Sequence, residues 1–169
     1  LRRLTAALAQ RGCTPADLDA VFVTHEHSDH LGGVLALQRR HGTPVWSSAG
    51  TWAAATARAG DAAASANTAS DGIGIVIGAL ELLPFAVPHD AAEPLQLVCR
   101  AGQARLGIVT DLGEPNDAVA SALQGCAALL LERPLADYYI TNITDARVPF
   151  TAVIEMTALV DRRHFGGHA

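Results

Sequence analysis

The chain contains no lysine, few aromatic residues and no long apolar run. All twelve basic residues are arginines, and seventeen acidic residues outnumber them, which gives a net charge of −5. A broad basic surface for nucleic acid is therefore not visible in the composition. Aromatic residues make up 5% of the 169 residues, and no apolar run approaches the roughly 20 residues that a membrane-spanning helix needs. We therefore predict that the protein has no membrane partner.

The three cysteines, Cys13, Cys99 and Cys126, are far apart in the chain and form no C-x-x-C pair. An odd number of cysteines at such spacing argues against a disulfide framework. It predicts small buried side chains in a reducing compartment. The sequence also opens with helical leucine spacing rather than with the pattern of a signal peptide. Together these features predict a cytoplasmic protein.

Half of the residues are apolar, which is enough for one buried core at this chain length. Segments of helical periodicity alternate with short apolar runs that are typical of buried strands. This mixture predicts an α/β fold. The predicted helices are 1–11, 31–41, 51–59 and 117–123, the predicted strands are 20–24, 45–46, 74–77, 81–87, 95–100, 104–110 and 127–131, and residues 60–72 are predicted to form an exposed loop.

The strongest chemical signal is the sequence THEHSDH at residues 24–30, which follows a predicted buried strand and precedes LGG. Four potential ligands, His25, His27, Asp29 and His30, can converge in a loop at a strand end without distorting regular structure. Imidazole nitrogens suit zinc, and a mixture with carboxylates also admits manganese or iron. The alternative is a polar turn that is rich in histidine by chance, and the spacing argues against it.

This motif resembles the H-x-H-x-D-H signature of the metallo-β-lactamase fold. Two later segments, VPHDAAEP at 87–94 and IVTDLG at 108–113, follow in the order that this fold requires. Together the segments resemble the YycJ/WalJ-like branch, whose members are regarded as metal-dependent DNA exonucleases. The resemblance covers about residues 1–132 and implies an α+β sandwich with αββα layers. It also implies that the opening strands and the C-terminal part of that fold are missing from this sequence.

The resemblance assigns six residues to a metal site. The implied ligands are His25, His27 and His89 for a first ion, Asp29 and His30 for a second ion, and Asp111 as the bridge between the two. Asp29 is also the implied catalytic residue, which would orient or deprotonate the attacking water. Taken alone, His89 equally suits a strand end, and Asp111 equally suits a turn or a helix cap. Glu26 and Asp90 are candidate hydrogen-bond partners of the ligating histidines.

The implied cofactor is one or two divalent metal ions, with zinc as the first expectation and manganese or iron as alternatives. Such ions lower the pKa of a water, which then attacks the substrate as hydroxide. Asp111 stands where zinc β-lactamases carry a cysteine, which argues against antibiotic hydrolysis. The leading hypothesis is a phosphodiesterase that resembles a DNA exonuclease and acts on nucleic acid. The alternatives are a hydrolase of a thioester or another small ester, and a metal-binding fragment without turnover.

The family pattern stops after Glu132, and the histidine that closes the second metal site in the resembled branch is missing. Residues 131–156 resemble instead an internal stretch of flavin-dependent amine-oxidase-like proteins. That stretch lacks the glycine-rich loop that holds a dinucleotide, so we expect no FAD binding. We predict a metallo-β-lactamase-like part at 1–132 and a foreign or divergent tail at 133–169 that is not an independent domain. A chimera or a misjoined fragment would explain this change, and His168 near the chain end is a poor substitute ligand.

Overall fold

The computed structural model describes residues 1–59 and 65–131, together with the backbone of two strands at 140–142 and 152–155. The α-helices are α1 (Arg2–Ala9), α2 (Ser28–Leu31), α3 (Val34–His41), α4 (Ala49–Ala59) and α5 (Asp117–Leu123). The strands are β1 (Val21–Phe22), β2 (Val45–Ser47), β3 (Asn67–Thr68), β4 (Ile75–Ile77), β5 (Leu80–Ala86), β6 (Leu95–Ala101), β7 (Ala104–Val109), β8 (Ala128–Leu131), β9 (Ile140–Asn142) and β10 (Ala152–Glu155).

The smaller sheet contains three parallel strands in the order β1-β2-β3. Strand β3 lies inside the segment that the sequence predicts to be an exposed loop, so that part of the loop prediction was wrong. Asn67 and Thr68 carry no apolar alternation, and both side chains are exposed. They pair through the backbone, and the Asn67 side chain donates a hydrogen bond to the Val45 carbonyl at 3.2 Å.

The larger sheet contains seven strands in the order β4-β5-β6-β7-β8-β10-β9. Strands β4 to β7 are antiparallel neighbours, whereas β8 runs parallel to both β7 and β10. The predicted hairpin between β6 and β7 is confirmed, because Ala101 pairs with Ala104 across its turn. Strands β9 and β10 lie in the segment predicted to be a divergent tail, and they extend this sheet beyond β8.

Three apolar clusters show how the layers stack. The cluster between the two sheets joins Phe22 and Trp46 of the small sheet to Leu82, Leu95 and Leu97 of the large sheet. The cluster on the outer face of the small sheet joins Val23 and Val45 to the helical residues Val34 and Trp52. The cluster on the outer face of the large sheet joins Phe85, Val98 and Val109 to Val119 and Leu123 of α5. The layers are therefore helix, sheet, sheet and helix.

The cysteines are all free, and they differ in their surroundings. Cys126 is buried in the cluster beneath α5, and this burial raises the pKa of its thiol. Cys13 is exposed, so the prediction that it is buried was wrong. It lies in the turn after α1, beyond Gly12, where the chain leaves the helix. Among the described residues, no helix combines the length and the apolar character needed to cross a membrane.

Candidate metal centre

The histidine motif begins where both sheets hold the same stretch of backbone. Directly after β1, the Val23 amide donates to the Trp46 carbonyl of the small sheet at 2.8 Å. The next carbonyl, that of Thr24, accepts from the Leu95 amide at the start of β6 at 2.9 Å. His25 therefore follows a segment that is fixed to both layers, and its side chain is fully buried.

A short helix and a glycine pair carry the chain through the rest of the motif. Helix α2 begins after His27 and includes Asp29 and His30, and it ends at Leu31 with Gly32 as its C-cap. A Cβ atom on Gly32 would lie 2.7 Å from the Ser28 carbonyl oxygen, and Gly33 has a φ of +106°. Both positions therefore require glycine. The helix predicted at 31–41 is consequently interrupted, and α3 begins only at Val34.

One group of ligand atoms comes from His25, His27 and His89. These atoms lie within 4.8 Å of one another, and His27 Nδ1 is 3.3 Å from His89 Nε2. The ring of His25 meets each of the other two rings edge to face, with centroids 4.6 Å apart. Three imidazole nitrogens thus face a common point, an arrangement that occurs in zinc sites.

A second group shares His25 and adds His30 and Asp111. Asp111 Oδ2 lies 2.7 Å from His30 Nε2 and 3.4 Å from His25 Nε2. The hydroxyl of Thr24 contacts the opposite nitrogens of the same rings, at 3.1 Å from His25 Nδ1 and 3.4 Å from His30 Nδ1. Thr24 therefore helps to orient both rings with Nε2 toward Asp111.

Asp29 lies at the edge of this arrangement and belongs to neither group. Its Oδ2 is 3.6 Å from His30 Nε2, and its side chain is 72% exposed. The structure thus brings together five of the residues that the sequence singles out, which are His25, His27, His30, His89 and Asp111. It leaves Asp29 beside them, facing solvent.

The chemistry of these side chains fits a divalent cation. His25 Nε2 is buried and makes no hydrogen bond within the described residues, a state that normally costs free energy. Burial, reinforced by the neighbouring His30 and His89, lowers the pKa of His25 to about 4. The ring is therefore neutral at neutral pH, and neutral imidazole is the form that ligates metals. The grouped histidines and carboxylate form a candidate divalent-metal centre.

The loop between β5 and β6 carries His89 and is held from several sides. The Pro88 carbonyl accepts from the Gly113 amide at 2.7 Å, which ties this loop to the one that carries Asp111. The Glu93 carboxylate accepts from the Gly50 amide at 2.7 Å. The Glu93 carbonyl also accepts from the Ser48 hydroxyl at 2.6 Å. Contacts with α4 and with the Asp111 loop therefore fix the position of His89.

The two acidic residues proposed as histidine partners behave differently. Asp90 Oδ1 lies 3.1 Å from His89 Nδ1, as the sequence predicts. Glu26 does not contact a histidine in this way, because its Oε1 accepts from the Ala92 amide at 2.9 Å. Its other oxygen is buried without a hydrogen-bond partner among the described residues. Glu26 therefore supports the His89 loop, and its predicted role as a histidine partner was wrong.

Gly113 and Gln96 are among the residues that support the site and were missed from the sequence. The signal for Gly113 was its position directly after the apolar strand and the Asp111 turn. Gln96 is fully buried on β6 beside the Asp111 loop. The available signal was a lone amide within an otherwise apolar strand, LQLVC.

Gly113→Ala is expected to weaken metal binding by about 10-fold or more, as changes behind the ligands of a metal site commonly do. A Cβ atom at this position would lie 2.8 Å from the Pro88 carbonyl oxygen, so the His89 loop must shift. Equilibrium titration with Zn²⁺ in a competing chelator measures the effect. Gly74→Ala is the matched control, since its nearest neighbour would be the Glu81 carboxylate at 3.4 Å. Unchanged affinity in Gly113→Ala would contradict this reading.

Comparison with known proteins identifies the family. A family model described as the beta-lactamase superfamily domain matches residues 2–160. The chain belongs to the beta-lactamase superfamily. This membership and the observed helix–sheet–sheet–helix layers confirm the α/β sandwich that the sequence predicts.

Two curated relatives of this superfamily member carry similar names. The chain is 32% identical over 117 residues to exodeoxyribonuclease YycJ of Bacillus anthracis. The aligned segment covers 69% of this chain and 44% of the relative. It is 30% identical over 134 residues to exodeoxyribonuclease WalJ of Streptococcus pneumoniae serotype 2 (strain D39). This alignment covers 78% of this chain and 50% of the relative. The chain therefore spans about half the length of the curated relatives that it matches.

A solved structure of the same superfamily shows the fold again. MEM-A1, a subclass B3 metallo-β-lactamase from a soil metagenome library, superposes with a TM-score of 0.59 at 18% identity. The superposition covers 77% of this chain and 64% of that one. The predicted boundary at residue 132 and the flavin-enzyme resemblance stay predictions. His168, the candidate substitute ligand, lies outside the described residues.

Proposed function

We propose that this chain is the metal-binding part of a hydrolase that cleaves phosphodiester bonds in DNA with a metal-activated water. The observation that carries the proposal is the pair of ligand groups that share His25, with Asp111 Oδ2 within 3.4 Å of His25 and 2.7 Å of His30. Adjacent groups of this kind suit two cations that act on one phosphate.

By this proposal His25, His27 and His89 would hold the first ion, His30 and Asp29 would hold the second, and Asp111 would serve both. Zinc is the expected metal because histidine nitrogens dominate the donor set, and manganese or iron are the alternatives. When bound, such ions supply positive charge that favours ionisation of a water and stabilises charge on the phosphoryl oxygens. Asp29 is the residue that we expect to hold or accept the proton of the attacking water, since its exposed carboxylate borders His30.

Three observations favour a phosphodiester substrate. Two curated relatives are named exodeoxyribonucleases. Asp111 would supply an oxygen ligand, and oxygen ligands suit cations that bind phosphate. A cavity of about 390 Å³ also borders the motif at Glu26 and Ser28, and Arg39 and Arg58 lie in its wall. These guanidinium groups supply positive charge in a cavity whose wall includes the two residues that flank His27.

We propose that the protein acts in the cytoplasm, where its three free cysteines stay reduced. We also keep the proposal that residues 133–169 form a divergent tail rather than an independent domain. Hydrolysis of a thioester or another small ester is the second candidate activity, because the same fold and the same ligand groups serve both chemistries.

The test uses the full chain, with metal content measured after exhaustive dialysis and activity measured on two substrates. We expect one or two ions per chain and release of nucleotides from the end of a duplex DNA that carries one labelled end. Thioester cleavage without nucleotide release would favour the second candidate. Bound metal without turnover of either substrate would overturn the proposal and leave a metal-binding fragment. A chain that retains no metal would overturn every version of it.

A further inference from the structure

Gln96 is a polar side chain in a place where the fold otherwise buries apolar ones. It is fully buried on β6, two residues before Val98, whose side chain packs in the cluster beneath α5. Side chains two apart in a strand point to the same face, so Gln96 lies on the α5 side of the large sheet. A buried amide without partners would destabilise the fold, which makes its hydrogen bonds informative.

The Gln96 amide bonds only to the segment that leads into Asp111, among the contacts of the described residues. Its Nε2 donates to the Thr110 hydroxyl at 3.0 Å and to the Asp111 carbonyl at 3.2 Å. Its Oε1 accepts from the Thr110 backbone amide at 3.1 Å. The donor and the acceptor of the Gln96 amide are therefore both bonded to the consecutive residues Thr110 and Asp111.

These contacts begin where the strand ladder ends. Leu97 pairs with Ile108, which is the last registered pair of β6 and β7 toward the site. Strand β7 stops at Val109, so the backbone of Thr110 and Asp111 has left the sheet. Beyond this point the Gln96 side chain, and not the backbone of β6, forms the hydrogen bonds with the Thr110 amide and the Asp111 carbonyl.

We propose that Gln96 is a positioning residue that holds the carboxylate of Asp111 between His25 and His30. This role rests on the proposed function, in which Asp111 binds both ions. Gln96 fixes the backbone on either side of the Thr110–Asp111 peptide, and the Asp111 carboxylate extends from that backbone to within 2.7 Å of His30 Nε2. The alternative role is that of a satisfied core residue whose loss affects stability alone.

The substitution Gln96→Met separates these roles, because methionine keeps the length and bulk of the side chain and removes every hydrogen bond. The wild type is expected to bind two Zn²⁺ ions in two steps. In Gln96→Met we expect the affinity of one of these steps to fall by about 10- to 100-fold, which is the usual effect of removing a residue that orients a metal ligand. Hydrogen exchange at the Thr110 amide should accelerate in the metal-free protein, because that amide loses its acceptor. Thr110→Val, which removes the contacts of Gln96 with the Thr110 hydroxyl and keeps those with the backbone, should weaken the same binding step by less.

Val98→Ala is the control for stability, since Val98 is buried on the same face of the same strand and has no contact with Asp111 among those described. It should lower the thermal midpoint without changing the ratio of the two Zn²⁺ affinities. Wild-type Zn²⁺ affinity in Gln96→Met, or an equal loss in Val98→Ala, would overturn the role of Gln96 and leave the proposed function standing. A wild-type chain that binds no ion at the Asp111 site would overturn both.

Discussion

His25→Ala is expected to remove the ion that we assign to the three-histidine group and to lower hydrolysis by at least about 10³-fold. His25 is the one residue that belongs to both ligand groups. Its loss leaves two of the three histidines that we assign to the first ion and removes the side chain that lies 3.4 Å from Asp111, whereas a typical catalytic zinc site has three protein ligands. Metal charge contributes several kcal/mol to stabilising the transition state, and each 1.4 kcal/mol or so is a tenfold change in rate. Elemental analysis after dialysis and steady-state kinetics on end-labelled DNA measure the two effects.

The control for this variant is His41→Ala, which removes an exposed histidine at the end of α3 that belongs to neither ligand group. It should bind metal and turn over DNA as the wild type does. His25→Ala also empties a fully buried position, so its thermal unfolding must be compared with that of the metal-free wild type. A full complement of metal in a folded His25→Ala chain would contradict the assignment of His25 to the first ion.

The convergence of the ligand groups follows from features that the sequence displays. His25 comes after an apolar strand, and His89 and Asp111 each come after another, so all three lie where strands end. Strands β5 and β7 are both antiparallel to β6, so their ends lie at the same edge of the large sheet. The hydrogen bond from the Leu95 amide to the Thr24 carbonyl brings the end of β1 to that edge, and loops at such an edge can bring distant residues together. The H-x-H-x-D-H spacing supplies the rest, since the turn of α2 brings His30 next to Asp111.

Other parts of the fold and of the site depend on contacts that no pattern in the neighbouring sequence predicts. Strand β3 consists of Asn67 and Thr68, and this polar pair has no alternation of apolar and polar residues that would predict a strand. The two residues form a strand because they pair in parallel with Trp46 and Ser47 of β2. Glu26 accepts from the Ala92 amide, a partner 66 residues away in the sequence. Hydrophobic periodicity describes which face of an element is buried and carries no information about such polar pairings.

The supports of the site come from both sheets, which explains how a small domain can hold several charged and polar groups together. Thr24 is tied to β6 and orients two histidine rings. Gly113 joins the Asp111 loop to the His89 loop. A ligand set fixed in this way needs little rearrangement to accept an ion, so more of the binding free energy appears as affinity.

Asp111→Asn is expected to retain metal at the three-histidine group, to lose the second ion and to lower hydrolysis by at least about 100-fold. Replacing residues that merely support metal ligands already costs 10- to 100-fold, and this change removes the negative charge that we place between the two cations. The Asp111 side chain is 40% exposed, so the neutral variant should fold as the wild type does when both are metal-free. Asp19→Asn removes an exposed carboxylate outside the ligand groups and should change neither stoichiometry nor rate. Two ions per chain in Asp111→Asn would show that Asp29 and His30 hold the second ion without the bridge, and the proposed role of Asp111 would then fail.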